Sequence, residues 1–153
     1  MHKVYAIALY VSRSPVLDRF GAALGEPFHR ALIDGTFGRT LVYTFHRAVS
    51  GATVVGALRD ALAGRASAGP VAAFESALLD VLGGADLGKG ERLYLACGGA
   101  ALHGAKGAGA MEQPPWAPMA TSHAAELCPA LLDVYLGAKP IAPAAKQAAE
   151  ILP

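Results

Sequence analysis

Histidine and cysteine are the side chains best suited to hold a metal ion, and the chain has five of the first and two of the second. The histidines are His2, His29, His46, His103 and His123. None is paired at i, i+4 or as H-x-H, and no C-x-x-C motif occurs, so the spacing predicts neither a metal site nor another cofactor. We expect ordinary surface or core imidazoles, with His46 and His123 left as the alternatives for a haem or metal ligand.

Two cysteines, Cys97 and Cys128, do not make a disulfide framework. We expect both to be reduced and buried as small apolar residues, which favours an intracellular protein, cytoplasmic or plastid. The apolar N-terminal run is followed by Arg13 and Asp18 rather than by a small-residue cleavage site. It therefore predicts a strand and not a signal peptide.

Other functional classes leave no signature in this sequence. The segment 98–109 is rich in glycine, but G-x-x-x-x-G-K-[ST] is absent, and Gly98-Gly99 indicates a hairpin. The lack of G-x-S-x-G disfavours an esterase. A net charge of +1 gives no basic field for nucleic acid, and no apolar run reaches the roughly 20 residues of a membrane span.

Two arginines lie on a predicted strand whose residues alternate in character. Arg39 and Arg47 share one face with Leu41, Tyr43 and Phe45, and the other face carries Thr40, Val42, Thr44 and His46. Because both faces are mixed, neither is typical of a plain solvent face. The pattern favours a sheet that helices cover on one side and that lines a cleft at one end.

The periodicities of the remaining segments predict the elements that position this strand. The first half is expected to contain a strand over 4–11, helices over 15–24 and 27–33, the strand 38–47, and helices over 50–62 and 70–82. The second half is expected to contain strands over 91–97 and 100–106, followed by an extended loop over 111–119. A helix from 121 or 122 to 135, which kinks or restarts at Pro129, and a short helix over 143–152 complete the order. The first strand is apolar on both faces, which is typical of a central strand. With 54% hydrophobic residues, we expect one α+β domain over 1–153, its antiparallel sheet covered by helices on one face.

Three landmarks in this order resemble the chalcone isomerase superfamily. The family's F-x-R-x-I-V-x-G-x-F-x-K segment is matched at Phe28, Arg30, Leu32, Ile33, Gly35, Phe37 and Arg39, with Arg at the last position. The strand VYAIALYV resembles F-T-A-I-G-V-Y-L, and LLDVYLGAKPIAPAAKQ resembles the family's final helices. The resemblance spans residues 2–152 and implies an open-faced β-sandwich with a pocket between the sheet and the helices.

The superfamily contains cofactor-independent isomerases that cyclise chalcones, proteins that bind fatty acids, and helper proteins. Cyclisation needs polar groups aimed at the charge that develops. The polar residues of the isomerases align with other residue types in this chain. Their Thr aligns with Tyr5, their Tyr with Val54, their Asn with Ala61, their Lys with Arg39, and a late Ser or Thr with Cys128. Because most of these polar groups are replaced, the resemblance disfavours chalcone cyclisation.

The fatty-acid-binding branch has a Tyr at the position of Tyr5, and there it holds the carboxylate with an Arg. A phenol and a guanidinium can both donate hydrogen bonds to a carboxylate, and the guanidinium also supplies a positive charge. That Arg should precede Tyr5 by about a dozen residues. We expect either that Arg39 or Arg47 replaces it or that the family's N-terminal hairpin is missing here.

The function expected from this resemblance is non-catalytic binding of a fatty acid or similar lipophilic molecule, including one of polyketide type. The expected ligand-binding residues are Tyr5, Arg39, Arg47, Val54, Ala61 and Cys128. The alternatives are an isomerase or lyase acting on a chalcone-like or other enone through Arg39, Tyr5 and Cys128, and a helper protein that binds a protein partner through its surface.

Overall fold

The computed structural model describes residues 5–11, 30–33, 38–98, 101–108 and 114–136. They contain one antiparallel five-stranded sheet in which strands adjacent in sequence are adjacent in space. The strands are β1 (Tyr5–Val11), β2 (Arg39–Phe45), β3 (Glu91–Gly98), β4 (Ala101–Ala108) and β5 (Ala117–Pro118). The helices are α1 (Gly51–Leu62), α2 (Ala68–Leu82) and α3 (Ala124–Leu136), which a 3-10 turn (Thr121–His123) precedes. Residues 30–33 are also helical. The α+β prediction is confirmed.

Several predicted boundaries move by a few residues. β2 ends at Phe45 because His46 and Arg47 form a bend. α2 begins before Pro70, which lies in its first turn, where a missing N–H costs no hydrogen bond. α3 runs continuously through Pro129, and the predicted loop 111–119 contains β5. The predicted helices 15–24 and 143–152 lie outside the described residues.

The prediction that the first strand is central is wrong for the described sheet, where β1 is one of the two edge strands. Its apolar character on both faces misled the assignment because Ala6 and Ala8 are exposed. Small apolar residues are common at the surface and do not by themselves require a second covering layer.

One face of the sheet carries the large side chains and packs against the helices. The register pairs Tyr5 with Phe45, Ile7 with Tyr43, Leu9 with Leu41 and Val11 with Arg39. On β3, Leu93, Leu95 and Cys97 follow on the same side. The opposite face holds a small buried cluster of Val42, Tyr94 and Ala105, and the Tyr94 ring meets the edge of Trp116 with centroids 6.0 Å apart.

The helix α1 covers the sheet beside β1 and β2. Ser50 caps it by accepting a hydrogen bond from the backbone N–H of Thr53 at 3.1 Å. Its buried residues Val54, Val55, Leu58 and Leu62 recur at helical spacing and join the main core. The space between α1 and the β1–β2 side of the sheet therefore has a capped, well-packed helix as one wall and the sheet as the other.

The structure contradicts the prediction that the two cysteines are reduced. Cys97 and Cys128 form a disulfide, with Cα atoms 5.9 Å apart, that joins β3 to α3. The expectation of two reduced cysteines is therefore wrong. Pairing needs Cys97 to face the helices and α3 to cross that face, and neither is visible in the spacing of the two residues. The argument for an intracellular location that depended on reduced cysteines falls with it.

Candidate ligand-binding cavity

A cavity of about 160 Å³ lies between the β1–β2 side of the sheet and α1. The sheet contributes Tyr5, Tyr43 and Phe45 to its lining. The segment leading into α1 and the helix itself contribute Val49, Thr53, Val54, Ala57, Leu58 and Ala61. The walls are mostly aliphatic and aromatic, and the hydroxyls of Tyr5, Tyr43 and Thr53 supply the polar side-chain groups.

Sequence periodicity explains how both walls form. On the sheet, Phe45 is opposite Tyr5 and Tyr43 is two residues away, so all three rings project to the helix-facing side. On the helix, Val54, Leu58 and Ala61 are spaced by four and three residues and share one face. Ala57 and Ala61 leave room where larger residues would fill the space.

The aromatic rings at the sheet wall form a connected cluster that extends to α3. The Tyr5 ring centroid is 5.4 Å from that of Tyr43 and 5.9 Å from that of Phe45. The Tyr43 and Tyr135 centroids are 6.1 Å apart. The Tyr135 hydroxyl donates a hydrogen bond to the Tyr43 hydroxyl at 2.9 Å. Edge-on packing of this kind is favourable for aromatic pairs and fixes the position of each hydroxyl.

The surroundings hold two of these phenols in the neutral form. Burial raises the pKa of Tyr43 well above its usual value, although its hydrogen bond with Tyr135 works in the opposite direction. Burial also raises the pKa of Tyr135, and the neighbouring Tyr43 and Tyr5 raise it further. Both hydroxyls are therefore hydrogen-bond donors at ordinary pH and are unsuited to act as bases.

The structure brings three of the predicted site residues, Tyr5, Val54 and Ala61, together in this cavity. It does not bring Arg39 there. Arg39 is opposite Val11, six residues along β2 from Phe45, which at roughly 3.4 Å per residue is about 20 Å from the Tyr5 end. Its guanidinium is buried, and it donates to the backbone carbonyls of Leu32 and Ile33.

The other two predicted site residues also lie apart from the cavity lining. Arg47 follows β2 at the Tyr5 end and is exposed. Cys128 is buried in the disulfide with Cys97, which is opposite Arg39 in the sheet register. Neither is among the described residues that line the cavity.

Sequence reasoning missed six residues of the cavity lining: Tyr43, Phe45, Val49, Thr53, Ala57 and Leu58. It also missed Tyr135, which does not line the cavity but is hydrogen-bonded to Tyr43. Tyr43 carried a usable signal, because it shares a strand face with Leu41 and Phe45 and is therefore directed towards the helices. Tyr135 gave none beyond its helical spacing with Leu131 and Leu132. Its pairing with Tyr43 spans 92 residues and depends on how α3 crosses the sheet.

A second depression, about 520 Å³ and open to solvent, lies between residues 30–33 and α3. Its charged residues include Arg65 and Asp133, whose side chains are 3.0 Å apart. Arg30 and Glu126 add one further charge of each sign, so the depression has no net charge to attract an ion. The described residues contain no cluster of His, Cys, Asp or Glu suited to a metal ion. The helices described are also too short or too polar to cross a membrane.

Known proteins are similar to this chain in structure, but no similarity is found by sequence. No protein-family model matches the chain, and no curated protein sequence is detectably similar to it. A crystal structure of a fatty-acid binding protein from Arabidopsis thaliana matches with a TM-score of 0.69 and 16% sequence identity. The match covers 94% of this chain and 75% of that protein. The five-stranded antiparallel sheet with its helices on one face is thus the fold of the chalcone isomerase superfamily, as the sequence resemblance predicts.

Proposed function

We propose that this protein binds a fatty acid or a similar lipophilic carboxylate, without turning it over, in the cavity between β1, β2 and α1. The observation that carries the proposal is the composition of the cavity wall. Aliphatic side chains of α1 face Tyr5, Tyr43 and Phe45 of the sheet, so a mostly apolar wall includes two phenol side chains.

This arrangement suits a ligand with an apolar body and one oxygen-bearing head. Burying the body against Val54, Leu58 and Phe45 is worth about 0.8 kcal/mol for each methylene removed from water. The Tyr5 and Tyr43 hydroxyls can donate to the head group. The fatty-acid-binding activity named for the similar Arabidopsis protein supports the same class of ligand.

The same cavity argues against cyclisation of a chalcone by the family's mechanism. That reaction needs donors aimed at the charge that develops on the substrate. Two of the positions where the isomerases carry polar groups are Val54 and Ala61, both in the wall of the cavity. Arg39 donates hydrogen bonds to the backbone carbonyls of Leu32 and Ile33, at the other end of β2. The proposal is therefore a binding protein.

Mass spectrometry of an organic extract, beside native mass spectrometry of the intact protein, is the first test. We expect a lipophilic acid at a stoichiometry near one. The apoprotein is then titrated with medium-chain fatty acids by isothermal calorimetry. Failure of every acid to bind would contradict the proposal, and turnover of a chalcone would contradict its non-catalytic part.

A cavity-filling variant locates the binding. Ala61→Leu adds three carbons inside the cavity, and we expect it to lower acid affinity at least tenfold while the protein stays folded. Ala52→Leu is the matched control, because Ala52 is an exposed residue of the same helix. Equal affinities in the two variants would place the acid elsewhere.

A further inference from the structure

The volume of the cavity limits the size of the ligand that fits inside it. A cavity of about 160 Å³ is close to the roughly 150 Å³ engineered apolar cavity that accepts benzene. Pockets for drug-sized ligands are larger, at about 300–1,000 Å³. The space therefore fits a single ring or a chain of about six carbons.

Tyr5 is one of two tyrosines in the cavity wall. Tyr43 lines the cavity, and its oxygen already accepts the proton of Tyr135 at 2.9 Å. The proton of the Tyr43 hydroxyl is therefore available for another acceptor. Tyr43 has its ring centroid 5.4 Å from that of Tyr5, which brings the two phenols to the same part of the wall.

Tyr135 is behind this pair. It is 3% exposed and packs its ring edge-on against Tyr43. By donating to Tyr43, it occupies one lone pair of that oxygen, which orients the Tyr43 O–H and strengthens it as a donor. Tyr135 is thus a positioning residue, whereas Tyr43 is placed to touch the ligand.

We propose that Tyr43, oriented by Tyr135, is a second oxygen-binding donor beside Tyr5, and that the part of the ligand held in the cavity is compact: one ring or about six carbons with a single oxygen-bearing head. This inference rests on the proposed function for its site and narrows the ligand. Longer acids would have to leave the rest of their chain outside the cavity.

A chain-length series tests the size limit on the intact protein. Affinities are measured by calorimetry for butanoate, hexanoate, octanoate, dodecanoate and hexadecanoate. We expect a gain of about fourfold for each buried methylene up to about six carbons, followed by a plateau. A gain that continues to hexadecanoate would overturn the size limit while leaving the proposed function intact.

Phenol and benzene test the donor, because they differ by one hydroxyl and both fit the volume. In Tyr43→Phe we expect phenol to bind about tenfold more weakly and benzene to be unaffected. In Tyr135→Phe the phenol loss should be about threefold. Tyr10→Phe, at an exposed tyrosine of β1, is the control. Equal losses for the two ligands would show that Tyr43 only shapes the cavity and would overturn its role as a donor.

The two ligand sets separate the possible failures. If phenol binds but no carboxylate does, the lipophilic-carboxylate function fails and the compact oxygen-binding cavity stands. If neither phenol nor any acid binds, both the proposed function and this inference are overturned.

Discussion

The hydroxyl of Tyr135 on α3 donates a hydrogen bond to the hydroxyl of Tyr43 on β2, with the oxygens 2.9 Å apart. Both side chains are buried. Leaving one of these hydroxyls without a partner would cost about 1–3 kcal/mol. The sheet wall of the cavity is therefore coupled to the packing of α3, a helix that does not itself line the cavity.

Alkaline pH should destabilise the protein through these two phenols. The pKa of each is raised by burial in the folded state, whereas an unfolded tyrosine ionises near pH 10. Their contribution to the free energy of unfolding is complete below about pH 10. Above it, the unfolded state loses protons that the folded state keeps, so stability falls by up to about 1.4 kcal/mol per pH unit for each phenol.

Urea unfolding measured from pH 8 to 11 checks this pH dependence. The Tyr43→Phe/Tyr135→Phe double variant should lose stability less steeply than the wild type, and Tyr10→Phe should retain the wild-type slope. Ultraviolet absorbance should show that the two buried tyrosines ionise only on unfolding. Their ionisation near pH 10 in the folded protein would contradict the prediction.

Replacing Tyr5 by Phe should weaken acid binding without emptying the cavity of apolar contacts. The ring keeps its packing against Tyr43 and Phe45, and only the hydroxyl is lost. We expect the binding free energy of hexanoate to weaken by about 1.5–3 kcal/mol, the scale of one hydrogen bond to a charged group. Calorimetry measures the change. Unchanged affinity, compared with Tyr10→Phe, would remove Tyr5 from the site.

We expect Arg39 to stabilise the fold rather than to bind the ligand. Its guanidinium is buried and donates to the carbonyls of Leu32 and Ile33. Arg39→Met removes these charge-assisted bonds and leaves carbonyls without donors, so we expect unfolding to become about 2–4 kcal/mol easier. Arg47→Met, at an exposed position, should change it by less than about 0.5 kcal/mol.

Urea unfolding and hexanoate titration of these two variants separate stability from binding. Under the prediction, Arg39→Met is less stable but binds hexanoate with unchanged affinity while it is folded. A stable Arg39→Met protein that fails to bind the acid would instead return Arg39 to the binding site.

Reduction of the disulfide should destabilise the protein. Cys97 and Cys128 are 31 residues apart, and closing a loop of that length removes about 3–4 kcal/mol of unfolded-state entropy. Thermal unfolding with and without dithiothreitol measures the difference. The Cys97→Ser/Cys128→Ser variant should be insensitive to the reductant. A wild-type protein equally insensitive to it would contradict the prediction.

Much of the fold can be predicted from local patterns. Alternation over 38–47 and helical spacing over 50–62 identify β2 and α1, and Gly98-Gly99 identifies the β3–β4 hairpin. Three cavity residues, Tyr5, Val54 and Ala61, follow from the resemblance because each lies in a segment that can be aligned by its own local landmarks. These signals survive in a single sequence because side-chain direction along a strand or helix repeats with a short, fixed period.

The sequence by itself therefore determined most of the described elements, their order and an apolar wall. Only the tertiary structure decided which distant residues meet. It buried Arg39 against helix carbonyls, because β2 places that residue on the helix-facing side. It joined Cys97 to Cys128, and it set Tyr135 against Tyr43, because α3 packs across the same face of the sheet. Such contacts depend on the crossing of a helix over a sheet, which no local period encodes.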